Sequence, residues 1–304
     1  MSELIVVLGP TAVGKTKLAA HFSRKNRGEV ISADSRQVYK GMDIGSGKDI
    51  AEFSFPDGNV PYHLIDILDA GTHYDLFQFQ QDFYKAYNTI VKRDKLPILC
   101  GGSGLYIEAA LAKEKMQFVP KDSKLRKSLS KYNQAELVEQ LKKLKPEQHN
   151  TTDTLDVKRT IRAIEIASFE QLNQKPSSPI KKHTIFGINM ERSELRERIK
   201  ERLQERIDQG MIEEVEQLIK NGLTTEQLQY YGLEYRFIAL YLNGELNKLE
   251  FFEKLLQSIR RFAKKQMTWY RRMERKGYEI NWMPAAMPIE EKIDFMELKV
   301  QNGK

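Results

Sequence analysis

Short apolar runs alternate with longer amphipathic segments over residues 1–112. The apolar runs predict buried strands at Leu4–Leu8, Glu29–Ala33, His63–Leu68 and Leu96–Cys100, because they are bounded by Gly, Pro or Asp. The segments between them predict helices at Lys15–Arg24, Asp75–Arg93 and about Gly104–Ala112. This alternation is typical of an α/β fold with a parallel sheet flanked by helices.

The pattern changes after residue 112. Residues 122–148 are Lys-rich with leucines at helical spacing, Pro176–Pro179 predicts a loop, and His183–Met190 predicts a returning strand. Residues 194–222 and 250–276 predict a helical C-terminal half. We therefore expect an α/β core with C-terminal helices at residues 1–112 and 183–304, and a small, mainly helical insertion at residues 113–182.

Composition excludes several classes of protein. Hydrophobic residues make up 40% and charged residues 30% of the 304 residues, the balance of a globular protein with a sizeable core. No run approaches the roughly 18 apolar residues of a membrane span, and no signal peptide is visible. The single cysteine, Cys100, excludes an intramolecular disulfide and a multi-cysteine zinc site. We expect a cytoplasmic protein that does not associate with membranes.

The net charge of +7 lies in one segment. Ser258–Lys276 holds eight basic residues and one acidic residue, while the rest of the chain is neutral. On a helix, its apolar side chains form a stripe that predicts a core-facing side: Ile259, Phe262, Ala263, Met267, Tyr270 and Met273. The basic side is either a solvated face or the contact surface for a polyanion.

The first strand runs directly into a phosphate-binding loop. Gly9–Thr16 reads GPTAVGKT, the pattern G-x-x-x-x-G-K-T. Its backbone N–H groups and the following helix N-terminus suit an anion, Lys15 supplies a positive charge, and the Thr16 hydroxyl suits a phosphate-bound Mg²⁺. The loop does not say which phosphate is bound.

Two further strands end in polar groups. Asp34 follows the second strand, at the sheet edge where α/β proteins bind ligands. It could act as a general base, but it could also cap a helix. Ser103 follows Gly101-Gly102, where a hydroxyl could bind an anion or simply cap the next helix.

Two other segments place cations at helical spacing. Lys158, Arg159 and Arg162 lie in DVKRTIRAIEI, and Arg198, Arg202 and Arg206 follow at intervals of four in a Glu-rich segment. Taken singly, most of these arginines are explained by solvated helix faces with ion pairs.

Together these segments resemble the bacterial tRNA dimethylallyltransferases, also called tRNA isopentenyltransferases. The resemblance rests on motifs in the expected order from about residue 4 to 285: GPTAVGKT, ISADSRQVYKGMDIGSGK, HLIDIL, GGSGLYI, KRTIRAIE, RIKERL with GMIEEV, and RRFAKKQMTWYRR. It implies a P-loop NTPase-like parallel sheet flanked by helices. It also implies that the loop holds the diphosphate of dimethylallyl diphosphate, and that no phosphoryl group is transferred.

The resemblance implies transfer of the allyl group to N6 of the adenine just 3′ of the anticodon. Asp34 would be the base, with Ser103 and one of Arg198 or Arg202 on the diphosphate side. Gly9, Pro10, Thr11, Ala12, Val13, Gly14, Lys15 and Thr16 would bind the diphosphate, with Mg²⁺ on Thr16. The implied contacts to the tRNA anticodon stem-loop are Asp34, Ser35, Arg36, Gln37, Lys158, Arg159, Thr160, Ile161, Arg162, Arg260, Arg261, Lys264, Lys265 and Trp269.

Some residues depart from the family pattern, and other functions stay open. Ser103 stands where the family has Thr, and Lys158 where it usually has Gln. A small-molecule kinase that uses ATP would explain the loop and Asp34 but not the basic segment. An RNA-binding module without chemistry would leave Asp34 without a role, and free AMP could be an alternative prenyl acceptor. We expect a monomer.

Overall fold

The computed structural model describes residues 3–146, 154–173 and 176–302. The strands are β1 (Leu4–Leu8), β2 (Gly28–Ser32), β3 (Ser54–Phe55), β4 (Gly58–Asn59), β5 (Tyr62–His63), β6 (Leu96–Gly101), β7 (His183–Asn189) and β8 (Ile280–Pro284). The helices are α1 (Lys15–Lys25), α2 (Leu76–Lys92), α3 (Gly104–Leu111), α4 (Ser123–Leu129), α5 (Gln134–Leu144), α6 (Val157–Leu172), α7 (Arg192–Asp208), α8 (Met211–Lys220), α9 (Thr225–Leu228), α10 (Leu233–Leu242), α11 (Lys248–Arg275) and α12 (Ile289–Asn302).

Six parallel strands form the central sheet, in the order β5-β2-β6-β1-β7-β8. Strand β1 is buried at every position because β6 and β7 pair on its two edges. Strand β2 pairs with β6 from Gly28 opposite Leu96 to Ser32 opposite Cys100. The predicted P-loop NTPase-like sheet flanked by helices is confirmed, and its carboxyl edge gathers the loops that follow β1, β2 and β6.

Some predicted elements are wrong in length or continuity. Only Tyr62 and His63 pair in β5, because Leu64 and Asp66 have positive φ and turn the chain away from the sheet. The Lys-rich stretch breaks at Asn133, which caps α5 with its side chain. The end of that prediction, residues 147–148, lies outside the described residues.

The C-terminal half also differs from its prediction. The helix predicted over residues 194–222 breaks at Gly210, where φ is 98°. The sequence analysis did not predict α10, β8 or α12. Strand β8 extends the sheet beside β7, so the C-terminal region is not purely helical.

The chain divides into two compact units, residues 1–112 with 179–304, and residues 113–178. The larger unit holds the main core around the sheet. The smaller unit ends at residue 178 and not at the predicted residue 182. Lys182 belongs to the larger unit because its carbonyl accepts a hydrogen bond from the Leu4 amide. The smaller unit has its own core of Leu129, Leu137, Leu141, Ile164 and Ala167.

The smaller unit is organised by one buried carboxylate. Glu165, whose side chain is 1% exposed, pairs with Arg126 at 2.6 Å and with Arg162 at 3.0 Å. It also accepts the Asp122 backbone N–H at 2.9 Å. The hydrogen bond from Arg126 is the main reason that the pKa of Glu165 falls to about 2.

We predict that the smaller unit loses stability as the pH falls from about 4.5 towards 2. The folded-state pKa of Glu165 lies below its unfolded value, so its contribution is present above the unfolded pKa and is lost as the pH falls through the folded one. Glu165→Gln removes the same contribution at neutral pH and should lower the free energy of unfolding of the smaller unit by about 3 kcal/mol.

Amide hydrogen exchange in α6 measures this change, with exposed Glu139→Gln as the control. Equal protection of α6 in the two variants at pH 7 would contradict the prediction.

Candidate active site

A cavity of about 640 Å³ opens at the carboxyl edge of the sheet, and all its lining residues belong to the larger unit. Several of the predicted site residues line it: Thr11, Ala12, Gly14, Lys15, Thr16, Asp34, Ser35, Arg36, Gln37, Ser103, Arg198 and Arg202. These come from loops after three strands and from α7. The topology therefore brings together residues that the sequence places nearly 200 positions apart.

The phosphate-binding loop leads from β1 into α1. Gly14 precedes the helix with φ of 83°, a conformation that glycine adopts without strain. The first N–H groups of α1 have no intrahelical acceptor and can bind an anion. The amide of Thr11 is not available in this way, because it donates to Gln266 Oε1 at 2.9 Å.

Lys15 is the cation of the loop. Its ammonium donates to the Pro10 carbonyl at 2.7 Å and so lies over the loop rather than in solvent. Burial lowers the pKa of Lys15 to about 8. A diphosphate at this position would favour the charged form.

Asp34 and Ser103 are not used as helix caps. Asp34 Oδ1 accepts the Arg36 amide at 2.8 Å in a local turn, and no helix follows. Ser103 occupies the N-cap position of α3, but its side chain makes no capping hydrogen bond. Both side chains line the cavity, so the structure favours the functional alternative for each.

The two arginines of α7 differ in their surroundings. Arg202 is half-buried and pairs with Asp49, and burial, followed by the charge of Arg206, lowers its pKa. Arg198 lies at the exposed side of the cavity. Arg198 is therefore the arginine that is more readily available to a ligand.

Helix α11 packs directly against the phosphate-binding loop. Gln266 donates through Nε2 to the Gly102 carbonyl at 3.0 Å, in addition to its bond with Thr11. The Tyr270 hydroxyl lies 2.9 Å from the Gly9 oxygen and 3.0 Å from the Gly102 oxygen. A Cβ on Gly102 would lie 2.3 Å from Gln266 Nε2, so this glycine permits helix packing.

The sequence analysis missed several residues of the site, among them Gln266, Phe262 and Asp49. Gln266 stands in a basic segment and gave no signal of its own. Phe262 was assigned to the apolar stripe, but it is 45% exposed and lines the cavity. Asp49 lies after a glycine-rich turn, and only the fold brings it to Arg202.

The basic face of α11 is divided between paired and exposed cations. Arg260 donates to the Arg196 carbonyl at 3.0 Å, and Arg272 and Lys276 pair with Glu108 at 2.6 and 2.7 Å. Trp269 packs on Gly104 beneath the Arg272 guanidinium, which lies 3.8 Å from its ring centroid. Part of the predicted tRNA surface, Arg260 and Trp269, thus has a packing role.

Arg261, Lys264 and Lys265 are exposed on α11. They are the cations of the predicted set on this helix that remain open to a polyanion.

The predicted residues of the smaller unit also divide into two groups. Thr160 is fully buried and its hydroxyl donates to the Asp156 carbonyl, and Arg162 is held by Glu165 and by the Val119 carbonyl at 2.7 Å. Ile161 is half-buried against the small core. The tRNA contact of Thr160 stays a prediction, and in this structure the residue has no exposed surface. Lys158 and Arg159 are exposed.

Comparison with known proteins identifies the family. A family model described as IPP transferase matches residues 37–273, and one described as Isopentenyl transferase matches residues 2–54. The chain belongs to the IPP transferase family. Within this family, it is 49% identical over 297 residues to tRNA dimethylallyltransferase 1 of Geotalea uraniireducens, which covers 97% of both chains. It is 44% identical to tRNA dimethylallyltransferase 2 of Bacteroides fragilis, covering 99% of this chain and 98% of that one.

Solved structures of the family have the same fold. The tRNA isopentenylpyrophosphate transferase of Bacillus halodurans matches with a TM-score of 0.71 and 30% identity, over 99% of this chain and 96% of that one. A eukaryotic dimethylallyltransferase, crystallised acting on tRNA, matches with a TM-score of 0.75 over 94% of this chain and 74% of that one. At 22% identity the second match shows the fold alone.

We predict that inorganic diphosphate binds with a pH dependence set by Lys15. The charged form is lost as the pH rises through about 8, so affinity should fall by up to tenfold per pH unit above that value. Titration calorimetry of the wild type and of Lys15→Arg, which stays charged, separates this effect from ionisation of the diphosphate itself. Parallel pH profiles for the two proteins would contradict the assignment.

Proposed function

We propose that this protein transfers the dimethylallyl group of dimethylallyl diphosphate to N6 of the adenine immediately 3′ of the anticodon in certain tRNAs, and releases diphosphate. The observation that carries the proposal is the shared cavity. It is lined by the phosphate-binding loop with Lys15, by the uncommitted Ser103 hydroxyl and by Asp34. A small-molecule kinase would leave the exposed cations of α11 without a role, and the relatives are tRNA-modifying transferases.

The diphosphate would lie on the first N–H groups of α1. Lys15 and the Ser103 hydroxyl would stabilise the negative charge that builds up on the departing oxygen. One such donor is typically worth about 10²- to 10³-fold in rate. Arg198, and Arg202 where it exchanges Asp49 for the ligand, would face the same charge.

Asp34 would act as the general base. The adenine N6 forms a bond to C1 of the allyl group while the bond between C1 and the diphosphate oxygen breaks. The electron pair of that bond leaves with the diphosphate, and the N6 proton passes to the Asp34 carboxylate. The target base must leave its stack to reach the cavity, so contacts to the RNA backbone hold the tRNA in place.

The residues present fit a Mg²⁺ ion bound chiefly through the substrate. Within the described ranges, no three His, Cys, Asp or Glu side chains lie together in a way that could hold a metal ion. The Thr16 hydroxyl lines the cavity beside the loop, and Mg²⁺ commonly takes few protein ligands in addition to phosphate oxygens and water. When bound, the ion would neutralise charge on the diphosphate.

The oligomeric state and the cellular location of the enzyme are also proposals. We propose that the enzyme acts as a monomer. Among the residues that the structure describes, no helix has the length and apolar character needed to cross a membrane. We propose that the enzyme works in the cytoplasm, where its tRNA substrate is found.

A double-label incubation tests the reaction. The wild type is given tRNA with dimethylallyl diphosphate labelled in the allyl group, or with ATP labelled at the γ-phosphate. We expect only the allyl label to reach tRNA, and nuclease digestion to place it on N6 of the adenine next to the anticodon. Phosphate transfer from ATP to a small acceptor, without allyl transfer, would refute the proposal.

We predict that Asp34→Ala slows transfer by about 10²- to 10⁴-fold, the usual contribution of a positioned base. Binding of tRNA and of inorganic diphosphate should change little, because the phosphate-binding loop is intact. Single-turnover kinetics at saturating tRNA measure the rate. A normal rate would mean that Asp34 serves only its local turn with Arg36.

We predict that the exposed cations of α11 bind tRNA phosphates. The triple variant with Arg261, Lys264 and Lys265 changed to Gln should lower the slope of log affinity against log salt by roughly 2 to 3, at 0.7 to 0.9 per contact. Its affinity for inorganic diphosphate should be unchanged.

The matched control is Arg260→Gln, because Arg260 pairs with α7. It should lower the melting temperature and leave the salt slope nearly unchanged. A triple variant with the wild-type salt slope would show that tRNA binds elsewhere.

A further inference from the structure

Glu214 of α8 binds a row of backbone amides on the segment that follows Asp34. Its Oε2 accepts the N–H groups of Asp43 at 2.8 Å and Ile44 at 2.7 Å, and its Oε1 accepts that of Gly45 at 3.0 Å. The Tyr235 hydroxyl donates to the same Oε1 at 2.8 Å. Four donors therefore converge on one carboxylate, which matches the number of its lone-pair sites.

The turn that Glu214 holds is confined on its other sides. A Cβ on Gly45 would lie 2.8 Å from the Tyr235 ring, and a Cβ on Gly47 would lie 1.7 Å from Arg206 Nη2. Three successive N–H groups directed at one anion form a nest, a backbone arrangement that binds an anion. Here the anion is a side chain of the protein.

The same turn continues to the cavity. Gly45 and Gly47 line it, whereas Glu214 is not among the lining residues. The Gly47 carbonyl accepts Gln37 Nε2 at 3.0 Å, and Gln37 Oε1 accepts the Ser32 hydroxyl at 2.7 Å. The position of Gly47 thus fixes Gln37, three residues after Asp34.

Lys48 stabilises the other end of the turn. Its ammonium, 1% exposed, donates to the Tyr39 carbonyl at 2.7 Å and pairs with Asp43 and Asp66. The segment between Asp34 and Asp49 is therefore held by Lys48 from within and by Glu214 from α8. Of these, only Glu214 belongs to an element that is distant in sequence.

We propose that Glu214 is a positioning residue for the acceptor side of the reaction. It holds the Asp43–Gly47 turn, which in turn orients Gln37 and the Asp34 segment towards the incoming adenine. This inference rests on the proposed function. It assigns Glu214 to the orientation of the base and not to diphosphate binding, since neither Glu214 nor Tyr235 is among the residues that line the cavity.

Glu214→Gln tests the assignment, because the amide keeps the shape of the side chain. It replaces one accepting oxygen by a donor and removes the negative charge from the nest. The matched control is Glu213→Gln, an exposed neighbour in the same helical turn. Tyr235→Phe is the second variant, which removes one of the four donors and leaves the ring on Gly45.

We expect Glu214→Gln to slow single-turnover allyl transfer at saturating tRNA and dimethylallyl diphosphate by roughly 10- to 100-fold, as misplacement of reacting groups does. Affinity for inorganic diphosphate should stay within about twofold of the wild type. Tyr235→Phe should slow transfer by roughly three- to tenfold, and Glu213→Gln should equal the wild type. A merely structural role would not separate the transfer rate from diphosphate binding in this way.

Two results would overturn the proposal. One is a wild-type transfer rate in Glu214→Gln or, if that variant fails to fold, in Tyr235→Phe. The other is a parallel loss of diphosphate affinity and transfer rate in the folded variants, which would make Glu214 a general stabiliser. If the wild type itself transferred no allyl label to tRNA, the proposed function would fail instead, so the two failures are distinguishable.

Discussion

The site depends on the contact between α11 and the loops that follow β1 and β6. Gln266 bridges the Thr11 amide and the Gly102 carbonyl, while the Tyr270 hydroxyl reaches the carbonyls of Gly9 and Gly102. These backbone groups are withdrawn from water, and each would cost free energy if it were left without a partner. The helix that carries the exposed cations is therefore also the one that fixes the phosphate-binding loop. The surface for a polyanion and the site for a diphosphate are parts of one packed assembly.

Local signals were enough to predict the strands and helices on which the site is built. Strand β1, the turn at Gly14 and α1 follow from an apolar run, a glycine and an amphipathic stretch that are adjacent in sequence. The strand predicted over His63–Leu68 failed because tertiary contacts override the apolar pattern there. Asp66 turns away to pair with buried Lys48, and the amides of Ile67 and Leu68 both bond to the Val38 carbonyl. The sequence of the segment gives no indication of those partners.

The same difference between local signals and distant contacts applies to the residues of the site. Asp34, Lys15 and Ser103 could be predicted because each follows a strand, and the carboxyl ends of parallel strands meet at one edge. Gln266 and Glu214 could not, since the backbone groups that they bind are at least 164 residues away. The positive charge of α11 was visible in the sequence, but the sequence did not show which cations are paired within the protein and which are exposed. Only the fold shows that Arg272 and Lys276 neutralise Glu108 while Lys264 and Lys265 stay exposed.

Charge pairing separates the frame of the site from its reactive groups. Lys48 faces Asp43 and Asp66, and these pairs hold the loop in place. Asp34, in contrast, accepts only the Arg36 amide among the contacts of the described residues, and Lys15 donates to a neutral carbonyl. A carboxylate that has no fixed cation as a partner is available to a substrate proton, and an ammonium that is not bound to a fixed anion can take a phosphate oxygen. The proposed chemistry thus falls to the charged groups that the folded chain has not already neutralised.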